Sequence, residues 1–243
     1  MLKPELRQNF TIDSGVLEDV AAALNAVPDD HIVEVGTGKG MLTQKILKIY
    51  RSSEAEKKVS DKPFLLGYEV DEDLVDDLDD FKRRNTGIFD YRLQSFIEAK
   101  PKKGFNKCTG NIPYHISEPL LFSLIEWDFD HIVFITGIKF ARKIMNQIPG
   151  KLGTIASILY DSEIVKEYDK NIFYPKSKVD SGLLVMKRKR EFGTEKEKLL
   201  AEIMANTHMK HLWLNKKLGY DQGQTGQIYH MDLDLLVNTI KSK

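Results

Sequence analysis

The sequence predicts an α/β chain: a doubly wound, mostly parallel sheet followed by a small C-terminal helical domain. Three observations predict it. The apolar run Ile32-Val33-Glu34-Val35 breaks at Gly36 and passes through Gly38 and Gly40 into a helical pattern, the hand-over from strand to helix that opens such sheets. Short apolar runs and helical stretches then alternate to about residue 147, so parallel pairing with right-handed crossovers follows, and a ligand is expected outside the carboxyl ends of the strands. After Gly150 that rhythm is lost.

Taken in order, Val16, Leu17, Val20, Ala21 and Leu24 recur at helical spacing, which predicts an amphipathic helix over Ser14 to Ala26 capped by Asp13 or Ser14. The strand Ile32 to Val35 and a helix Met41 to Tyr50 follow. Further strands are predicted at Phe64 to Glu69, Gly87 to Leu93, Phe105 to Thr109, His131 to Thr136, Thr154 to Tyr160 and Ser181 to Lys187, with helices between most of them. The last strands are expected to close one edge as an antiparallel hairpin. Helices are expected over Thr194 to Gly219 and Asp232 to Ile240, so residues 1–188 form the first domain and 189–243 the small helical one. The polar stretch Arg51 to Lys62 reads as a solvated loop.

The chain has 243 residues, 36 basic and 36 acidic side chains, and one cysteine. That length suits one full α/β core plus an appendage. A lone Cys108 excludes an internal disulfide, no apolar run reaches the roughly 20 residues of a spanning helix, and the start Met1 to Leu6 has no apolar signal core, so a cytosolic location is expected. Zero formal charge disfavours strong unaided binding to a polyanion. Charge is nevertheless local, with acids over Asp71 to Asp80 and a basic run Lys187 to Arg190.

Two groups of residues carry chemistry. In Glu34-Val35-Gly36-Thr37-Gly38-Lys39-Gly40, glycines at a strand end let the backbone approach a ligand. Glu69, in Gly67-Tyr68-Glu69-Val70-Asp71 at the end of the next strand, can accept both ribose hydroxyls of a nucleoside. A tight turn and a solvated acid remain the alternative readings. No Walker lysine follows, so a nucleoside with a neutral or zwitterionic tail fits as well as a dinucleotide. The second group is Asn111-Ile112-Pro113-Tyr114, just after a strand. Methylating an exocyclic amine needs acceptors for its hydrogens and a flat surface for the ring. Asn111 Oδ1 with a carbonyl of Ile112 or Pro113 can supply the first, and Tyr114 the second, where stacking contributes roughly 1 to 3 kcal/mol per base. An ordinary Asn-x-Pro turn would read the same way.

At these residues the chain resembles the ribosomal RNA adenine N6,N6-dimethyltransferases, which comprise small-subunit dimethyladenosine transferases and macrolide-resistance large-subunit enzymes. The resemblance runs over roughly residues 7 to 187. It rests on Arg7-Gln8-Asn9-Phe10, the block Glu34 to Thr43, Gly67 to Asp71, Gly110 to Ser117, and Phe173-Tyr174-Pro175-Lys176-Ser177-Lys178-Val179-Asp180-Ser181. It implies a Rossmann-like class I methyltransferase sheet that binds S-adenosylmethionine through Gln8, Asn9, Thr11, Gly36, Gly38, Glu69, Val70, Ser95 and Asn111. It further implies that Phe173 faces Tyr114 across an extruded adenine, as flipped bases are held between flat faces.

Several positions depart from the family. Gln94-Ser95 stands where an acid usually meets the cofactor's adenine amine, and a hydroxyl lacks the charge-assisted part of that bond. Gly137-Ile138-Lys139 replaces Gln-x-Glu, and Ser177 replaces the second proline of the late motif. The tail helix reads Asn206 to His211 in place of an Arg-rich run, and His208 and His211 alone make no metal site. The expected function is N6-dimethylation of adenosine in small-subunit ribosomal RNA by an archaeal-like enzyme. Its substrate would lie in a small-subunit particle, and it would work as a monomer without metal or membrane. A large-subunit enzyme of the resistance type, a catalytically weakened ribosome-assembly protein and a small-molecule methyltransferase remain the alternatives.

Overall fold

The computed structural model describes residues 10–11, 13–52, 61–113, 116–127, 129–145 and 151–189. The expected tail helices, with His208 and His211, lie outside them. Two units divide the chain: Met1–Ala141 with Glu163–Lys187, and Arg142–Ser162 with Arg188–Lys243.

In the first unit, β1 (Phe10–Thr11) leads into helix α1 (Ser14–Leu24). Asp13 caps α1 by accepting from Gly15 N at 2.7 Å, and Asn25 ends it in the left-handed region at φ 46°. Then come β2 (Ile32–Val35), α2 (Met41–Ser52), β3 (Leu65–Glu69), α3 (Val75–Arg84), β4 (Phe89–Leu93), β5 (Lys107–Asn111), α4 (Ser117–Trp127) and β6 (His131–Gly137). Next are α5 (Ile138–Ile144), α6 (Lys151–Leu159), β7 (Tyr160–Tyr168), β8 (Phe173–Tyr174) and β9 (Ser181–Arg188).

The main sheet has seven strands in the order β4-β3-β2-β5-β6-β9-β7. All pairs from β4 to β6 are parallel, which is the doubly wound arrangement the strand-helix alternation predicts. β9 then runs antiparallel to β6, with Ser181 opposite Gly137. Parallel strands covered on both faces must be apolar throughout, and β2, β3 and the body of β6 are fully buried. On one face the apolar stripes of α1 and α2 (Val16, Leu17, Val20, Leu24, Ile46, Leu47) join the core. On the other, Phe96 packs edge-on against Tyr68 at 5.3 Å between centroids and tilted by 33° against Trp127 at 5.1 Å. That aromatic packing anchors the turn carrying Ser95.

One predicted strand is a helix. Thr154 to Tyr160 reads as a β-branched apolar run, but residues 151 to 159 form α6, and the strand follows at Tyr160–Tyr168. A short apolar run does not reveal its period, whereas the buried Leu152, Ala156 and Leu159 fall at helical spacing. Within the second unit, Lys189 N donates to Leu159 O at 2.8 Å and Lys189 Nζ to Ser157 O at 3.0 Å. A second sheet was not foreseen: β1 and β8 pair antiparallel, Phe10 opposite Tyr174 and Thr11 opposite Phe173. Two-residue strands leave no periodic signal and exist only through their partners.

Candidate active site

The glycine turn sits at the carboxyl end of β2. Gly36, Gly38 and Gly40 have φ of 75°, 55° and 73°, values that side chains other than glycine rarely adopt. Gly36 N–H donates to Tyr68 O at 2.9 Å, so the turn begins as β2 is still paired to β3. A Cβ added at Gly36 would have as its nearest neighbour Asn111 O, 3.9 Å away. The turn thus stands within van der Waals reach of the Asn111 backbone, across the ends of β2 and β5.

Glu69 closes the other side of the turn. One carboxylate oxygen accepts from Gly38 N at 2.7 Å, the other from Val70 N at 2.7 Å and Asp71 N at 3.0 Å. Only 6 % of the residue is exposed. Three backbone donors orient the group, and a carboxylate offers about four lone-pair directions, so acceptor capacity remains for a hydroxyl. Around this acid, Val70, Leu93 and Met41 are large apolar side chains left exposed. Leu93 lies opposite Glu69 in the sheet, and Met41 follows Gly40 directly. Ser95 comes next after β4 and gives its side chain to no capping bond.

Beneath the turn lies a carboxyl group that the motif reading left without a role. Glu34 is buried inside β2, where the Thr43 hydroxyl of α2 donates to Oε2 at 2.5 Å. Burial pushes its pKa up to about 8; the charge of Glu69 adds to the rise and the Thr43 bond opposes it. The acid is thus mostly neutral at pH 7 and ties strand to helix on either side of the glycines. Its signal in the sequence was an acid within an otherwise apolar strand, nine residues before a threonine of the next helix. Thr37, inside the turn, packs over Gly67: a Cβ there would lie 2.3 Å from Thr37 Oγ1.

Asn111 is placed by β5. A Cβ on Gly110 would lie 2.4 Å from Val35 O, a backbone atom of β2, so glycine alone lets β5 pack at this register and present Asn111 beside the turn. The next residue is fixed by β6, where Ile112 N donates to Ile135 O at 2.8 Å, and its side chain is buried. The Pro113 carbonyl accepts from Ile116 N at 3.1 Å and from the Ser117 hydroxyl at 3.3 Å. A carbonyl has two lone pairs, so Pro113 O is committed to starting α4.

Gln8, Asn9 and Tyr114 lie outside the described residues, and of Thr11 only the backbone pairing with Phe173 is described. Phe173 is 3 % exposed and packs in the core with Val16, Leu17, Ile135, Tyr168 and Leu183. Cys108 is buried within β5, and burial pushes its thiol up, away from the reactive thiolate. No helix among the described residues is long and apolar enough to cross a membrane.

A parallel sheet with an antiparallel β9 beyond β6, a glycine turn after β2 and an acid at the end of β3 define a Rossmann-like class I methyltransferase fold. Within that class, the chain belongs to the ribosomal RNA adenine dimethylase family, whose profile matches residues 1–217. It is 30 % identical over 202 residues to ribosomal RNA small subunit methyltransferase A of Clostridioides difficile, covering 79 % of this chain and 68 % of that one. It is 28 % identical over 193 residues to the protein of the same name from Thermotoga maritima, covering 77 % of this chain and 64 % of that one. The chain thus spans about two thirds of the length of these relatives. Among solved structures, the 23S rRNA methyltransferase ErmE superposes with a TM-score of 0.67 at 20 % identity, covering 96 % of this chain and 98 % of that one. A dimethyladenosine transferase from Plasmodium falciparum superposes with a TM-score of 0.61 at 23 % identity, covering 77 % and 64 %. These two likenesses establish the fold.

Proposed function

We propose that this protein transfers methyl groups from S-adenosylmethionine to N6 of adenosine in small-subunit ribosomal RNA, twice per base, and that its substrate is the RNA within a small-subunit particle. The observation that carries the reading is a left-handed glycine turn brought beside Asn111, next to a carboxylate that three backbone amides orient. A nucleoside sulfonium fits these groups: Glu69 for a ribose hydroxyl, exposed Val70 and Leu93 for the faces of an adenine, and the backbone of Gly36 and Gly38 for close approach. S-adenosylmethionine supplies an electrophilic methyl group at a sulfonium centre.

The chain's own residues then position the acceptor. Asn111 Oδ1 and Ile112 O accept the two hydrogens of the adenosine amine, turning the nitrogen lone pair toward the cofactor side and favouring the positive charge that develops there. The rigidity of this acceptor pair comes from β6 through Ile112 N and from the Pro113 turn, so little reorganisation is needed at the moment of transfer. Asn111→Ala should reduce transfer to a naked rRNA fragment by roughly 1000-fold or more while leaving the melting temperature and S-adenosylmethionine binding close to those of the parent. Undiminished methylation by that variant, measured by mass mapping of the RNA, would sink the role of Asn111. Calorimetry with S-adenosylmethionine tests the cofactor independently: micromolar binding is expected, and none at millimolar donor would point to an assembly protein with this fold.

A further inference from the structure

Tyr174 is 63 % exposed, whereas its neighbour Phe173 is 3 % exposed. Consecutive residues of a strand point to opposite faces, so β8 buries one ring and presents the other to solvent. An open phenol ring gives up the burial that aromatic side chains usually obtain, and such rings concentrate at binding surfaces.

The strand lies at the working end of the sheet. Ile138 N, just past β6, donates to Asp180 O at 3.0 Å, and Ser181 pairs with Gly137. The segment 169–180 thus enters β9 from the carboxyl edge, the edge that also carries Asn111 opposite Ile135. It is held in shape by its own bonds. Ser177 is buried, its N–H donates to Lys170 O at 3.3 Å, its hydroxyl donates to Val179 O at 2.7 Å, and Val179 N donates back to that hydroxyl at 3.1 Å. Ser177 thus stiffens the turn by hydrogen bonding.

Along the segment 169–180 the exposed cations outnumber the acids. Lys170, Lys176 and Lys178 are exposed beside Tyr174, and none pairs with a carboxylate among the described residues. Two exposed acids stand at the base of the segment: Asp180 Oδ1 accepts from Lys170 N at 3.1 Å and Asp169 Oδ1 from Asn171 N at 2.9 Å. An open aromatic face among unpaired cations is the pattern that binds single-stranded nucleic acid, the ring stacking on a base and the cations meeting phosphates.

We propose that Tyr174 is a substrate-positioning residue: it stacks on an unpaired nucleotide next to the target adenosine, while Lys176 and Lys178 contact the flanking phosphates. The proposal rests on the RNA substrate proposed above and adds a contact outside the amine site.

The test is direct binding of a fluorescently labelled small-subunit rRNA fragment with an adenosine-bearing single-stranded loop, across a salt series. Tyr174→Ala should weaken binding about 5- to 100-fold without changing the salt slope, and Tyr174→Phe should retain parental affinity. Lys176→Gln and Lys178→Gln should each reduce the slope of log affinity against log salt by about 0.7. S-adenosylmethionine affinity and melting temperature should be unmoved in all four variants. Parental RNA affinity in Tyr174→Ala overturns the proposal. So does a loss that Phe does not restore, or one accompanied by weaker cofactor binding, since either marks a structural role. If the parent binds the fragment but methylates neither it nor the small-subunit particle, the proposed reaction fails while this measurement still decides Tyr174; no binding by the parent to either overturns both.

Discussion

At the amino end of the parallel sheet, polar side chains close on one another; at the carboxyl end the acid beside the glycine turn is held by backbone amides. Lys107 Nζ at the start of β5 bonds Asp30 Oδ2 at 2.7 Å and the carbonyls of Leu24 and Asn25 at 3.2 and 2.6 Å. Asp30 also accepts from Val27 N and from Asn106 Nδ2, both at 2.7 Å, and Asn106 Oδ1 accepts from His31 N at 2.9 Å. The network ties the end of α1 to β5 and leaves little for a ligand. Four residues along the same strand, about 13 Å at the usual rise, Asn111 stands beside the glycine turn, and Glu69 is oriented there by amides alone. A parallel sheet thus separates the work of holding from the work of binding, because strand and helix termini with free backbone groups gather at one end.

Breaking the amino end should give the largest effect. Lys107→Met leaves a buried carboxylate with no cation, which costs about 3 kcal/mol, seen as a lower urea midpoint. Methylation per folded molecule should stay at the parental level, and a selective loss of activity would contradict the division. At the other end, Gly110→Ala forces a Cβ against Val35 O and should cost about 2 kcal/mol. There the activity should fall much further than the stability, since β5 must shift and carry Asn111 with it.

The smallest effects are slopes, no more than about 1.4 kcal/mol per pH unit from each group, and they have opposite signs at the two ends. Glu34 titrates near 4.5 in the unfolded chain and about 8 in the folded one, so the native state holds the extra proton between these values. Its contribution is complete below pH 4.5 and is lost as the pH rises through 8; Glu34→Gln should remove that loss. His131, at the start of β6, is pushed down from 6.5 to about 4 by burial, with help from Lys107 and Lys187. Its contribution is complete above pH 6.5 and is lost as the pH falls through 4, and His131→Leu should flatten the acid limb. Urea midpoints followed by circular dichroism from pH 4 to 9 measure both.

Legibility followed the range of the interactions. The glycine turn, the cap of α1 and the parallel core were readable because each depends on residues within a few positions or on a local period. The β-branched run at 154 to 159 misled because its period is set by what it packs against. Phe173, which the resemblance places at the adenine, is buried in the core while its neighbour Tyr174 is exposed; strand alternation puts the two rings on opposite faces, and residue spacing does not say which one faces outward.

By itself, then, the sequence determined the class of sheet, the glycine turn with Glu69 and the position of the tetrapeptide Asn111 to Tyr114 at a strand end, since glycine, proline and carboxylate chemistry act through the local backbone. Only the tertiary structure decided why Gly110 admits no side chain, that burial raises the Glu34 pKa, and which aromatic of the pair meets solvent. Each of these depends on an atom brought close from a distant strand or helix, and such approach leaves no trace in the spacing of residues.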